Sequence, residues 1–319
     1  MMPKISVSIP AYNEEENIFA FYEQITTYIS EELPHYEFEF IFIDDGSKDK
    51  TIQLIRTLEA KDNRVIGLEL SRNYGKEIAM AAGLDHATGD AIIIMDADLQ
   101  HPFSSFKEMI TLWEMGYQDV YGKRTARHGE SKLKIAFSNT YYKLLNSMTK
   151  EQILANVGDF RLLDRQIVDA LKKLRESTRY TKGLYEWVGF RKIEFQFEAA
   201  ERFAGETKFS FAGLAKLAIE GITSYTTRPL KLSMLFGFLV SLSAFIYLIV
   251  VIIDTIINGI PGTGIPTLTI LVLFLGGVQL ISLGIMGEYL GRIFIESKNR
   301  PLYFINKPQK EEKTNDTLS

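Results

Sequence analysis

Two aspartates one residue apart, Asp96 and Asp98, follow the apolar run Ile92-Ile93-Ile94-Met95, so a strand would deliver them to a loop tip. Alternate residues of an extended chain point to the same side, so both carboxylates can reach one divalent cation, with Gln100 as a third oxygen. A Mg2+ or Mn2+ held by so few carboxylates completes its shell with substrate phosphates and water. As a Lewis acid it would offset charge growing on a departing nucleoside diphosphate. An Asp-x-Asp pair is also a common solvated loop motif. What favours the metal reading is two further polar clusters, Ala11-Tyr12-Asn13-Glu14 and Asp44-Asp45-Gly46-Ser47, each after an apolar run. The chain has no cysteine and four histidines, which rules out thiolate ligands, disulfides and cysteine nucleophiles and leaves oxygen as the better donor.

These clusters need a scaffold, and the first 125 residues supply one. Short apolar runs at Ile5–Ile9, Phe38–Ile43, Val65–Leu70, Ala91–Met95 and Asp119–Tyr121 read as strands. Amphipathic stretches at Glu16–Ser30, Lys50–Ala60, Lys76–Ala87 and Pro102–Met115 read as the helices between them. That alternation predicts an α/β fold with a mainly parallel, Rossmann-like sheet. Ligands of open α/β sheets bind beyond the carboxyl ends of the strands, so the three clusters can share one cleft. Asn13 precedes one helix and Ser47 or Asp49 another; Asn13 and Ser47 read as N-caps. Residues 125–228 are irregular and locally basic. Within them Leu133–Met148 and Phe209–Ser224 have apolar faces with scattered lysines, and suit either a lipid-headgroup surface or packing on the sheet.

Leu232–Ile253 carries no charge over 22 residues, enough to cross a hydrocarbon core of ~30 Å. Asp254–Gly264 has a turn composition, and a second uncharged run covers Ile265–Gly287. The expected organisation is a domain over 1–228, a transmembrane hairpin over 229–292 with spans at 232–253 and 265–287, and a tail over 293–319 whose last stretch, Lys307–Ser319, reads as disordered. Arg228, Lys231, Arg292, Lys298 and Arg300 flank the spans, and the connection Asp254–Gly264 between them has no Lys or Arg, so both ends are expected on the cytoplasmic side of a multi-pass plasma-membrane protein. Ile5–Pro10 is too short for a signal-peptide core. The formal net charge of −4 argues against general nucleic-acid binding.

In order along the chain, Ser8-Ile9-Pro10-Ala11-Tyr12-Asn13-Glu14, Ile43-Asp44-Asp45-Gly46-Ser47, Ser71-Arg72-Asn73-Tyr74-Gly75-Lys76-Glu77 and Met95-Asp96-Ala97-Asp98-Leu99-Gln100-His101-Pro102 resemble the inverting family-two glycosyltransferases of GT-A fold. More narrowly they resemble the polyisoprenyl-phosphate branch, which includes dolichyl-phosphate mannose synthase and bacterial undecaprenyl-phosphate glucosyltransferase. Phe103 stands where that branch often has a second proline. The resemblance implies that Pro10, Tyr12, Glu14 and Asp45 hold the nucleotide base and ribose, with Asp44 the next candidate. Glu14 and Asp45 can accept from ribose hydroxyls or a base N–H, and Tyr12 offers a ring face. Asp96 would also meet the donor, and Lys76 either reaches it or is a solvated first-turn lysine. Asp159, in Asn156-Val157-Gly158-Asp159-Phe160-Arg161, resembles the branch's catalytic-base candidate. A lipid phosphate has its second pKa near ~6 and needs little deprotonation, so Asp159 either orients the site or removes a residual proton.

Two phosphates call for cations. Arg124 stands at a strand end with Arg127 and Lys132 beyond it; Arg202 and Lys208 flank a loop similar to one that follows the family's acceptor region. Guanidinium forks match phosphate oxygens, so Arg124 and Arg202 are the first choices for the acceptor phosphate, joined by Arg127 and Lys208. Solvated or headgroup-facing arginines are the alternative. Asp98, Asp159, Arg124 and Arg202 form the expected catalytic set. The implied reaction is a single displacement in which the lipid phosphate attacks the anomeric carbon and inverts it. UDP-glucose is the first expectation for the donor, then UDP-N-acetylglucosamine and GDP-mannose, with undecaprenyl phosphate as acceptor. The family's examples imply a homotetramer. A processive polysaccharide synthase is disfavoured because no Gln-x-x-Arg-Trp motif is present: neither Trp113 nor Trp187 follows an arginine. A noncatalytic nucleotide-sugar-binding scaffold is the rival from another class.

Overall fold

A computed structural model describes residues 2–125, 147, 157–198, 226–258 and 264–306. The chain divides into two compact units. Among the described residues, the first holds the sheet together with residues 301–306, and the second holds residues 147, 226–258 and 264–300.

In the first unit, strands β1 (Lys4–Ala11), β2 (Glu37–Asp44), β3 (Val65–Glu69), β4 (Ala91–Ile94) and β5 (Asp119–Arg124) alternate with helices α1 (Ile18–Glu32), α2 (Thr51–Lys61), α3 (Lys76–His86) and α4 (Ser105–Glu114). All were expected, within a few residues. Beyond them lie β6 (Val157–Asp164), α5 (Arg165–Leu171), α6 (Thr181–Trp187) and β7 (Lys192–Phe197), where the sequence reads as irregular. The sheet order is β3-β2-β1-β4-β6-β5-β7. Strands β1 to β4 pair in parallel, β6 is antiparallel to both β4 and β5, and β7 runs parallel to β5. This is a GT-A-like mixed sheet with mostly parallel strands.

Helices cover both faces, which is why β1, β2 and β4 are buried almost continuously rather than at every second residue. One core gathers Phe21 and Ile25 of α1 and Phe106 and Met109 of α4 against Ile5, Val7, Phe40 and Phe42. The other sets Ala79, Met80, Ala82 and Leu84 of α3 against Ile41, Ile43, Ile92 and Ile94. A Cβ at Gly83 would collide with the Ser8 side chain, so α3 owes its close seat on β1 to that glycine. The seat fixes where Lys76, the first residue of α3, can reach.

Residues 301–306 form a short strap on the edge strand β3. Ser71 N–H donates to the Phe304 carbonyl (2.9 Å), Asn306 N–H to the Glu69 carbonyl (2.8 Å), and Leu70 bridges Ile305. The Tyr303 hydroxyl donates to Asp85 (2.8 Å), and Tyr303 and Ile305 pack on the α3 side of the core. The segment expected to be a plain tail therefore completes the sheet edge.

The second unit contains α7 (Arg228–Asn258) and α8 (Ile265–Ser297), both long and apolar enough to cross a membrane. Each outruns its expected uncharged stretch. Helix α7 continues through the supposed turn to Asn258, and α8 runs ten residues past Gly287, its added turns carrying the Arg292–Glu288 pair (3.0 Å) at helical spacing. The two helices are joined by Ser233 Oγ donating to Ser282 Oγ (2.8 Å). The expected surface helices, apart from residue 147, and the stretch Lys307–Ser319 lie outside the described residues.

Candidate active site

The β1 and β2 ends are stitched to each other rather than to their own helices. Asn13, at φ 55°, donates its N–H to Ser47 Oγ (2.9 Å), and its side-chain oxygen accepts from Lys48 N–H (2.9 Å). The capping roles expected of Asn13 and Ser47 are thus overturned: the residues at the helix starts are Asn17 for α1 and Lys50 for α2, and neither makes a side-chain cap. Loop–loop bonding wins because β1 and β2 are parallel neighbours whose ends lie side by side. Glu14 accepts from Asn17 Nδ2 (2.6 Å), and Tyr12 is exposed just beyond Pro10 and Ala11.

Asp44 and Asp45 are both buried, and burial pushes both pKa values up. Asp45 accepts from Tyr74 N–H (2.7 Å) and Gly75 N–H (2.9 Å), so it anchors the 71–75 loop that leads into α3. Gly46, at φ 68°, permits this: a Cβ there would meet Arg72 C and Asn73 N at 2.5 Å.

Strand β6 creates the second half of the site. Its antiparallel register with β4 pairs Ile94 with Arg161. Just beyond that pair, Asp96 follows the end of β4 and Asp159 lies on β6. Lys76 closes the gap: its ammonium lies 2.7 Å from Asp96 Oδ1, 2.9 Å from Asp96 Oδ2 and 2.9 Å from Asp159 Oδ2. Burial raises the Asp159 pKa, but Lys76 and then Lys182 outweigh it and hold the carboxyl at about 2. Burial likewise pulls Lys76 down, and Asp96 and Asp159 more than restore it. Asp159 Oδ1 is buried with no partner among the described residues, a lone pair left for something that enters the cleft.

One ligand atom from each of Asp96, Asp98 and His101 lies within 4.8 Å of the others. His101 adds an imidazole to this group, and the N–H of Gln100, the third oxygen ligand expected from the sequence, donates to Asp98 Oδ1 (3.2 Å). His101 stacks on Phe160 (centroids 4.5 Å apart), and burial lowers its pKa. Its Nδ1 accepts from Asp96 N–H (3.3 Å), which places the ring proton on Nε2. Asp96 and Asp98 supply the hard carboxylate oxygens that Mg2+ or Mn2+ takes.

Sequence reading missed what lies behind this cluster. Glu77 is held by the Thr181 N–H (2.8 Å) and hydroxyl, and burial raises its pKa. Arg161 and Asp119 form a buried pair (2.9 Å), with the guanidinium 3.6 Å from the centroid of the Tyr185 ring. Glu77 sat beside Lys76 in a quoted motif, a signal that could have been followed. No local pattern marks Thr181, Lys182 or Tyr185. Arg124 is exposed at the end of β5, and Arg127, Arg202 and Lys208 lie outside the described residues.

Residues 6–172, which include every strand-end carboxylate described above, match the family model for glycosyl transferase family 2. The chain belongs to that family. The glycosyltransferase is 45% identical over 307 residues to a prophage bactoprenol glucosyl transferase homolog of Escherichia coli (strain K12), covering 96% of this chain and 100% of the relative. It is also 45% identical over 308 residues to the bactoprenol glucosyl transferase of Shigella phage SfV, again covering 96% and 100%. Among solved structures, mannosyl-3-phosphoglycerate synthase from Rubrobacter xylanophilus aligns with TM-score 0.46 and 14% identity over 68% of this chain and 71% of that one.

Proposed function

We propose that this glycosyltransferase moves glucose from UDP-glucose to a polyprenyl phosphate such as undecaprenyl phosphate, inverting the anomeric centre, at the cytoplasmic face of the plasma membrane. The observation that carries the reading is that Lys76 joins Asp96 to Asp159 at the strand ends while Asp96 and Asp98 lie close enough to share one cation. Identity to bactoprenol glucosyl transferases along nearly the whole chain supports the sugar and the carrier. The apolar helices α7 and α8 support a membrane site for a lipid acceptor.

Pro10, Tyr12, Glu14, Asp44 and Asp45 form the donor's nucleotide end of the cleft. Asp96 and Asp98, with Gln100, would hold Mg2+ or Mn2+, which supplies charge neutralisation for the diphosphate. Arg124, with Arg127, Arg202 and Lys208, meets the lipid phosphate. Asp159, with a pKa of about 2, is far from the near-neutral value that suits a general base. Its role is to orient Lys76 and, through Oδ1, the incoming ligands, so positioning and charge carry the rate. Gly276, Gly277, Gly284, Gly287 and Gly291 have open space where a Cβ would stand, and this supports close approach of a second α8 in a homo-oligomer, with a tetramer as the expected form.

The test supplies purified enzyme in vesicles containing undecaprenyl phosphate with labelled UDP-glucose, UDP-N-acetylglucosamine or GDP-mannose. Label from UDP-glucose moves into the organic phase in a metal-dependent way. Transfer from another donor in its place corrects the sugar, and donor binding without any transfer leaves only the scaffold reading.

A further inference from the structure

The Lys76 ammonium occupies both oxygens of Asp96, one of the two carboxylates that the cation needs, and at the same time holds Asp159. A divalent cation and an ammonium on one carboxylate repel each other, so one must yield. Lys76 is able to yield. It is the first residue of α3, follows Gly75 at φ 94°, and carries its charge on a flexible four-carbon stem with three rotatable donors. Its side chain is also partly open to the cleft.

We propose that Lys76 is a resident counter-ion that competes with the metal for Asp96, so that the empty enzyme binds the cation weakly and takes it up together with the donor diphosphate. The diphosphate supplies both the oxygens that complete the metal's shell and an anionic partner for the displaced ammonium. Lys76 thereby passes from Asp96 to a phosphate oxygen while Asp159 still steers it. The consequence is ordered loading: metal and nucleotide each raise the other's affinity, by the same factor because the coupling is reciprocal. The proposal rests on the reading that Asp96 and Asp98 hold the metal.

The experiment measures Mn2+ binding to the full chain in detergent, from the loss of the free Mn2+ paramagnetic resonance signal, with and without UDP. In the parent protein UDP tightens Mn2+ binding about 10-fold or more, within the usual range for coupled sites. Lys76→Met binds Mn2+ about 10-fold more tightly than the parent without UDP, and the benefit of UDP falls to within about 3-fold. Lys76→Arg, which keeps the charge, retains the parent's weak binding. A misfolded variant cannot produce a gain in affinity, so the gain separates competition from damage. Unchanged or weaker Mn2+ binding in Lys76→Met, with binding still abolished by Asp98→Asn, overturns the counter-ion role and leaves the metal site standing. Mn2+ binding that survives Asp98→Asn unchanged overturns both.

Discussion

Gly46→Ala probes the link between the β2 end and the donor loop. The added Cβ falls 2.5 Å from Arg72 C and Asn73 N, both backbone atoms that cannot rotate aside, and ordinary contact begins at 3.4 Å. The 71–75 loop must therefore retreat by close to the difference. The same retreat stretches the Tyr74 and Gly75 bonds to Asp45, now 2.7 and 2.9 Å, to about 3.6 and 3.8 Å, beyond hydrogen-bond range. Each bond to a charged acceptor is worth roughly 2 kcal/mol, so 2 kcal/mol is the least that the retreat costs, and an alanine at φ 68° adds about 1 kcal/mol of conformational strain. If Asp45 and its loop hold the nucleotide, a 2 kcal/mol loss of order there raises the donor KM roughly 30-fold. The acceptor KM stays within about 3-fold. Steady-state kinetics over a UDP-glucose series, with label in extracted lipid as readout, measures both. Gly116→Ala is the control: its φ is 89°, but only the tip of the Arg191 side chain lies within 4 Å of the added Cβ, and it follows α4 rather than the site. A donor KM in Gly46→Ala no higher than in Gly116→Ala would refute the argument that the loop's contact with Asp45 shapes the donor site.

Three further outcomes are expected. Lys76 holds the Asp159 carboxyl at about 2, so Asp159→Asn lowers the rate but leaves the shape of the kcat/KM profile between pH 5 and 8 unchanged; disappearance of an acid limb would restore the base role. Asp119→Ala strands Arg161, whose side chain is 3% exposed, and costs about 3–5 kcal/mol, read as a shift in the urea midpoint of the detergent-solubilised protein, with Asp119→Glu less damaging. Glu39 is buried among Lys4 (2.6 Å), Ser6 (2.5 Å) and Thr88 (2.7 Å); burial raises its pKa, but these partners bring it from 4.5 down to about 2. A depressed carboxyl stabilises the fold above its unfolded pKa, and that contribution, about 2–3 kcal/mol, is lost as pH falls from 4.5 toward 2; Glu39→Gln flattens the pH dependence of the unfolding midpoint over that window.

Much of the first unit is legible because its signals are local. Apolar runs such as Phe40-Ile41-Phe42-Ile43 and Ile92-Ile93-Ile94 announce buried strands, and the acids that follow them announce the cleft. Strand β6 is not legible in this way. Val157-Gly158-Asp159-Phe160-Arg161 interleaves charges with apolar residues, and both charges are inside the fold only because Lys76 and Asp119, far away in the chain, neutralise them. Burial by pairing leaves no trace in periodicity. The N-cap reading of Asn13 and Ser47 failed for a related reason: a short polar side chain at a strand end serves a neighbouring loop as well as a helix start, and only the parallel register of β1 with β2 decides between them. His101 went unassigned because a loop imidazole is defined by what packs on it, here Phe160.

The strap at residues 301–306 bears on how the sheet unit can be produced by itself. A chain stopped at residue 228, the expected domain limit, would lack the partners of Glu69 and Ser71 and leave β3 as a bare hydrogen-bonding rim, a template for adhesion between molecules. A water-soluble version would need Pro301–Asn306 spliced back through a linker that bypasses α7 and α8.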